Sequence, residues 1–197
     1  TVKYTNMPHK HTIKSYVENG HYHVYNRGVE KRDIFLDEQD YQVFLHLIKY
    51  YLSPPDNNLL HPLVGITPYS LKKPKPLANL YQEIDLIAFC LMPNHFHLLL
   101  KQSTRDGMTK FMRRLLTTYS MYFNKRYTRV GYLFQGRYKG ALINDDIYLL
   151  YLSRYIHTNP QDLSNSSMKR TDLFRYPYSS YVYFLGEKNA EWIKPGF

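Results

Sequence analysis

The sequence predicts an α+β fold, a ferredoxin-like and RRM-like antiparallel sheet of order βαββαβ with one added C-terminal helix. Three observations carry this reading. The run from Leu86 to Leu100 is apolar nearly throughout and breaks only at Pro93-Asn94, as two paired buried strands would. Shorter stretches at 21–26 and 140–143 supply two more strands. Apolar residues at helical spacing fill three further segments, beginning near Asp37, Asp106 and Asp145.

Residues 1–19 are polar and without period, and read as a loose basic arm. In the first strand Tyr22, Val24 and Asn26 share one face, while His21, His23 and Tyr25 share the other, before Arg27-Gly28 turns the chain. For His23 the pattern favours an ordinary strand-face histidine over an approach to an ion or a phosphate. From Asp37 the spacing of Tyr41, Phe44, Leu45, Leu47, Ile48 and Tyr51 gives a core helix, with Asp37 and Glu38 placing negative charge in its first turn. Residues 53–80 hold too many prolines and asparagines for a long regular element, so they read as an inserted surface loop.

After the central strands, Met108, Phe111, Met112, Leu115, Leu116, Tyr119 and Tyr122 form the apolar stripe of a second helix, from Asp106 to near Tyr127. Its opposite side carries Lys110, Arg113, Arg114, Lys125 and Arg126, a basic face suited to a phosphate backbone. The following stretch interleaves Arg129, Arg137 and Lys139 with aromatics, which suits stacking on bases while neutralising phosphates. A last strand spans 140–143. Asn144 is the expected cap of a final helix over 145–159, with Asp145 and Asp146 on its dipole and Pro160 as its stop. Tyr148, Leu149, Leu152, Tyr155, Ile156 and Asn159 are expected on its inward face. The tail is expected to pack over the domain, with Trp192 and Phe197 tacking the end down.

With 197 residues the chain can bury one core, so a single domain over 1–197 is expected, with 1–19 and 185–197 as peripheral arms. The net charge of +10 favours a polyanionic partner, nucleic acid first. No run of about eighteen apolar residues and no cleavable signal pattern stands out, so a cytoplasmic location is expected. Cys90 stands alone within an apolar strand, which excludes an internal disulfide and favours a small buried hydrophobe. Tyrosine occurs 21 times, and its flat ring with a polar tip serves packing and base contact equally.

Two places carry chemistry. His95 and His97 lie on one face of a strand, with Phe96 and Leu98 on the other, so two imidazoles converge. Such a pair suits a divalent metal, while alternating histidines on a half-exposed face are also ordinary surface, and spacing alone leaves both open. Tyr155 and Asn159 stand four apart and so stack one turn apart on a helix. Periodicity alone makes Tyr155 a core tyrosine.

His95-Phe96-His97 after Met92-Pro93-Asn94 resembles the His-hydrophobe-His motif of the HUH single-tyrosine transposases, which cut and rejoin single-stranded DNA. The stretches 20–28, 131–139, 154–160 and 176–181 follow in the order of the REP-associated tyrosine transposase branch, and the similarity covers residues 20–52 and 82–184. The resemblance implies an HUH nuclease fold. It implies that Tyr155 attacks the phosphate to give a 5′-phosphotyrosine, with Mg or Mn held by His95, His97 and Asn159. Relatives carry Gln where Asn159 stands, and connect the elements around 53–80 more briefly. The expected partner is single-stranded or hairpin DNA, with Arg27, Arg113, Arg114, Lys125, Arg126, Arg129, Arg137 and Lys139 as its contacts; a homodimer stays open. No general base stands out. Two other readings remain, a non-catalytic single-stranded nucleic-acid-binding module and a replication initiator or relaxase.

Overall fold

Gly28 follows the first strand because nothing larger fits: a Cβ there would meet the Arg32 carbonyl oxygen at 2.1 Å. In the computed structural model, which describes residues 16–56, 79–163 and 176–196, the elements are β1 (His21–Arg27), α1 (Glu38–Leu52), β2 (Ile84–Met92), β3 (His95–Gln102), α2 (Gly107–Arg126), β4 (Lys139–Ile143), α3 (Asp146–Thr158) and a short α4 (Tyr181–Phe184). The sheet order is β2-β3-β1-β4 with every neighbouring pair antiparallel, which is the expected βαββαβ arrangement.

Each face of the sheet is covered differently. Tyr22, Val24, Phe96, Leu98 and Leu100 pack with Phe44, Ile48, Phe111, Leu115 and Tyr119, so α1 and α2 cover one face. Leu149, Leu152 and Ile156 of α3 pack with Cys90, Met92, Leu99 and Ile143 on the other. The added helix therefore lies across the sheet from the first two, on the face that carries the histidines. Burial drives the Cys90 thiol pKa up, in keeping with an inert core thiol.

A bulge makes β2 serve both cores. Leu86 pairs with Leu100 and Ala88 with Leu99, so Ile87 is an extra residue in the ladder. Before it Ile84 and Leu86 face α1 and α2; after it the phase shifts, so that Phe89 and Leu91 take that face while Ala88, Cys90 and Met92 face α3. Without the inserted residue every later side chain of β2 would change sides.

The outer edge of β2 is closed by the tail. Leu91 N–H donates to the Tyr178 carbonyl (2.9 Å), Ser180 N–H to the Phe89 carbonyl (3.0 Å), and Phe89 N–H to Ser180 Oγ (2.8 Å). This pairing satisfies an edge that would otherwise be open. Trp192 lies over Phe89 and Tyr183, as expected of a packed tail. Phe197, residues 1–15 and residues 57–78 of the expected loop lie outside the described residues. Tyr16, expected within the loose arm, is buried in the core and donates its hydroxyl to Tyr138 Oη at 3.0 Å.

Two further expectations change. The cap of α3 is Asp145, whose carboxylate accepts from Tyr148 N–H at 2.7 Å, rather than Asn144. α3 stops at Thr158, ahead of Pro160 as expected, but Asn159 belongs to a 3₁₀ turn, Asn159–Leu163, that follows directly. No described helix is long and apolar enough to cross a membrane.

Candidate active site

The turn before the histidines is pinned from several sides. Gly28 N–H donates to the Asn94 carbonyl (2.9 Å), Ile34 and Phe35 N–H groups both reach the Pro93 carbonyl (2.7 and 3.1 Å), and Asn94 Nδ2 donates to the Lys31 carbonyl (3.2 Å). The two-residue turn thus sits against the end of β1, and β3 starts from a fixed point. The Asn94 amide so oriented presents its Oδ1 to His95 Nδ1 at 2.7 Å. That oxygen accepts, so the His95 proton lies on Nδ1 and the lone pair on Nε2.

His97 is buried, and its Nδ1 lies 2.8 Å from His23 Nε2. The neighbour order explains the meeting: Tyr25 pairs with His97 and His23 with Leu99, so His23 is the diagonal neighbour of His97 on the same face. Burial holds the His23 pKa down to about 4. His97 is held at about 2 by burial first, then by the nearby His23, His95 and Arg27. Both rings are neutral at pH 7, the state in which imidazole binds metal. His23 stays on the expected strand face, but it bonds the buried His97 there, because β1 is the strand next to β3.

Tyr155 stands on the flank of α3 with 49% of its surface exposed, rather than on the inward face. Its ring meets His97 edge-on at 5.6 Å between centroids and His23 at 6.3 Å. Tyr148 also leaves the expected inward face, at 41% exposed, and Tyr151 is exposed at 64%. The buried side of α3 is Leu149, Leu152, Ser153, Ile156 and His157. Asn159 is buried at the helix end and donates Nδ2 to the Tyr155 carbonyl at 2.8 Å, which leaves its Oδ1 as the donor atom it can offer an ion.

Two neighbours escaped the sequence reading. Tyr25 lies beside both His23 and His97, with ring centroids 4.9 and 5.8 Å away, and burial raises its pKa. His157 is buried with Nε2 2.8 Å from Ser180 Oγ, which ties α3 to the tail segment that closes β2. Alternation on β1 already put Tyr25 beside His23; nothing local marked His157.

The expected DNA contacts fall in different places. Arg27 is paired across the strands with His95, and its buried Nε has no hydrogen-bond partner among the described residues. Lys139 is paired with Tyr25 on the same face and holds Nζ 5.6 Å above that ring. Arg113 and Arg137 line a groove of about 1110 Å³ between α2 and residues 131–138. Arg129 bonds Asn124 Oδ1 at 2.9 Å and lies over the Phe123 ring. Lys125 is exposed, and Arg114 is half-buried.

Arg126 is a correction. It holds Asp37 at 2.6 Å and the fully buried Asp40 at 2.7 Å, and Tyr122 and Tyr127 also donate to Asp40. It fastens α2 to the start of α1 and is not presented to a ligand. At roughly 100° per residue Lys110, Arg113, Arg114 and Lys125 share an arc of about 120° opposite the buried stripe of α2, as expected, whereas Arg126 lies about 220° from Arg113, among the buried residues.

The donor types suit a divalent ion: two imidazoles, each with Nδ1 occupied by a neighbour, and an amide oxygen from Asn159. Among the described residues no three His, Cys, Asp or Glu side chains are grouped to hold a metal.

Comparison with known proteins bears on this arrangement. Residues 77–159 match the family model described as "Transposase IS200 like". Among solved structures the chain is similar to that of a REP-associated tyrosine transposase bound to a REP hairpin, at 14% identity and a TM-score of 0.60, over 95% of this chain and 92% of that one. The fold is therefore the HUH type that the histidine motif implied. No curated protein sequence matches the chain.

Proposed function

We propose, with the IS200-like transposase match over residues 77–159 as the premise, that this chain is a transposase that cleaves and rejoins single-stranded, hairpin-containing DNA. The observation that carries the proposal is Tyr155, a half-exposed phenol held edge-on to the buried His97. Tyr148 and Tyr151 on the same helix are exposed as well, and Tyr155 is the one whose ring meets both His97 and His23.

In this reading Tyr155 Oη attacks the phosphorus of a backbone phosphodiester. A new oxygen–phosphorus bond forms to the tyrosine and the bond to the 3′-oxygen breaks, giving a 5′-phosphotyrosine and a free 3′-hydroxyl. The phosphodiester energy is conserved, so a second 3′-hydroxyl can reverse the step and join a different strand. The phenol proton must leave during attack, since the oxygen that bonds to phosphorus cannot keep it.

His95 and His97 through Nε2, with Asn159 Oδ1, would hold a divalent ion, Mg or Mn. Such an ion supplies positive charge against the phosphate oxygens, and this nitrogen-rich set suits Mn better than the harder Mg. Asn159 also ties its amide to the backbone of the nucleophile, so helix register and ligand position are set together. Arg27 brings fixed positive charge to the same strand end, across from His95. Lys139 adds a second cation over Tyr25, while Arg113 and Arg137 offer contacts to the rest of the DNA along their groove.

The test is incubation of the full chain with end-labelled single-stranded hairpin DNA and Mn. A denaturant-stable protein–DNA adduct with release of a free 3′-end is expected. Binding without any adduct, over a range of hairpins and divalent ions, would instead identify a non-catalytic binding module.

A further inference from the structure

We propose that His23 is a positioning residue: it accepts the Nδ1 proton of His97 and thereby leaves the Nε2 lone pair of His97 for an ion. The inference rests on the reading of His97 as a ligand. It assigns a role to a side chain that neither the His-hydrophobe-His motif nor the family match singles out, since His23 lies outside residues 77–159.

The geometry presents a choice. With 2.8 Å between His23 Nε2 and His97 Nδ1, one proton lies between two nitrogens, and it belongs to one ring or the other. If it belonged to His23, the neutral His97 would carry its own proton on Nε2 and have no lone pair left to give. If it belongs to His97, then Nε2 is bare and the ring is a competent ligand.

Symmetry within the site favours the second arrangement. His95 already has its Nδ1 proton fixed by an acceptor, Asn94 Oδ1 at 2.7 Å, which puts the ring's lone pair on Nε2. His23 does for His97 what Asn94 does for His95. An orienting acceptor behind a ligating imidazole also raises its basicity as a ligand. The two rings meet edge to edge with 21° between planes, so His97 can neither flip nor swing without breaking the bond to His23.

Nuclear magnetic resonance on the metal-free full chain with ¹⁵N-labelled histidine reads the tautomer directly, through long-range proton–nitrogen couplings. The expected wild-type signal is His97 protonated on Nδ1. His23→Leu fills the space without an acceptor and should move His97 toward the Nε2-protonated form. His23→Gln, which restores a carbonyl acceptor, should move it back. Mn titration of the same proteins should show a loss of about 10- to 100-fold for His23→Leu and partial recovery for His23→Gln. Wild-type His97 protonated on Nε2 overturns the proposal, and that spectrum decides even if a variant fails to fold. An unchanged tautomer and Mn affinity in a folded His23→Leu would overturn it too. The expected tautomers in a wild type that takes up no Mn would refute the ligand role of His97 and leave the control by His23 standing.

Discussion

The ring of Tyr155 meets that of His97 edge-on, 5.6 Å between centroids and 80° between planes. One partner is half exposed and the other nearly sealed. An incoming strand can therefore reach the phenol from solvent while the imidazole stays dry.

Tyr155→Phe removes one oxygen from a half-exposed ring. Chemical denaturation should show a stability change within about 0.5 kcal/mol, as for most surface substitutions. Affinity for a hairpin strand should be kept while adduct formation is abolished. A stability loss above about 1–2 kcal/mol would point to a buried hydrogen bond at the hydroxyl instead.

The two motif histidines should separate in stability and agree in activity. His97→Ala empties a buried position and strips His23 of its partner, at a cost of about 1–3 kcal/mol, whereas the more open His95 should cost less. Either change, or EDTA, should end cleavage and spare DNA binding. Full cleavage by the double variant in EDTA would sink the metal reading.

The basic residues should fall into two classes. Arg126→Ala leaves the fully buried Asp40 carboxylate without its cationic partner and should cost about 3–5 kcal/mol. Arg113→Ala and Arg137→Ala should leave stability nearly unchanged and weaken DNA binding. Each phosphate that is no longer neutralised should lower the slope of log affinity against log salt by about 0.7 on single strands. Unfolding by Arg137→Ala, or a salt-independent affinity, would contradict this division.

Acid should destabilise the fold before carboxylates titrate. Burial holds the His157 pKa at about 4 against an ordinary 6.5, so the unfolded chain binds more protons between those values. Stability is fully present above pH 6.5 and falls as pH drops toward 4, by up to about 1.4 kcal/mol per pH unit for this histidine. His23 and His97 add to the same loss. His157→Gln keeps a polar partner for Ser180 and should flatten the pH dependence measured by urea unfolding; an unchanged slope would show that His157 does not drive the acid transition.

Much of the fold was legible because alternation and helical spacing are local signals. The paired strands around Pro93-Asn94 and the shared face of His95 and His97 needed nothing more. What remained hidden depended on neighbours remote in sequence. His23 reads as a surface histidine until β1 is known to lie beside β3, and Arg126 reads as a DNA contact until Asp40 is known to be buried beneath it. The Ile87 bulge left no mark, since both faces of β2 are apolar from Leu86 onward and a phase shift within an apolar run changes nothing in the pattern. The placement of Tyr155 on the flank of α3 turned on about one residue's rotation of the helix, finer than spacing resolves.

Peptide mapping of a trapped adduct tests the central assignment most directly. The full chain is incubated with labelled hairpin DNA and Mn, digested, and the nucleotide-bearing peptide sequenced by mass spectrometry. A single phosphotyrosine linkage is expected on Tyr155, joined to the 5′-side of the cleaved strand. A linkage on Tyr148, Tyr151 or any other residue would contradict the assignment.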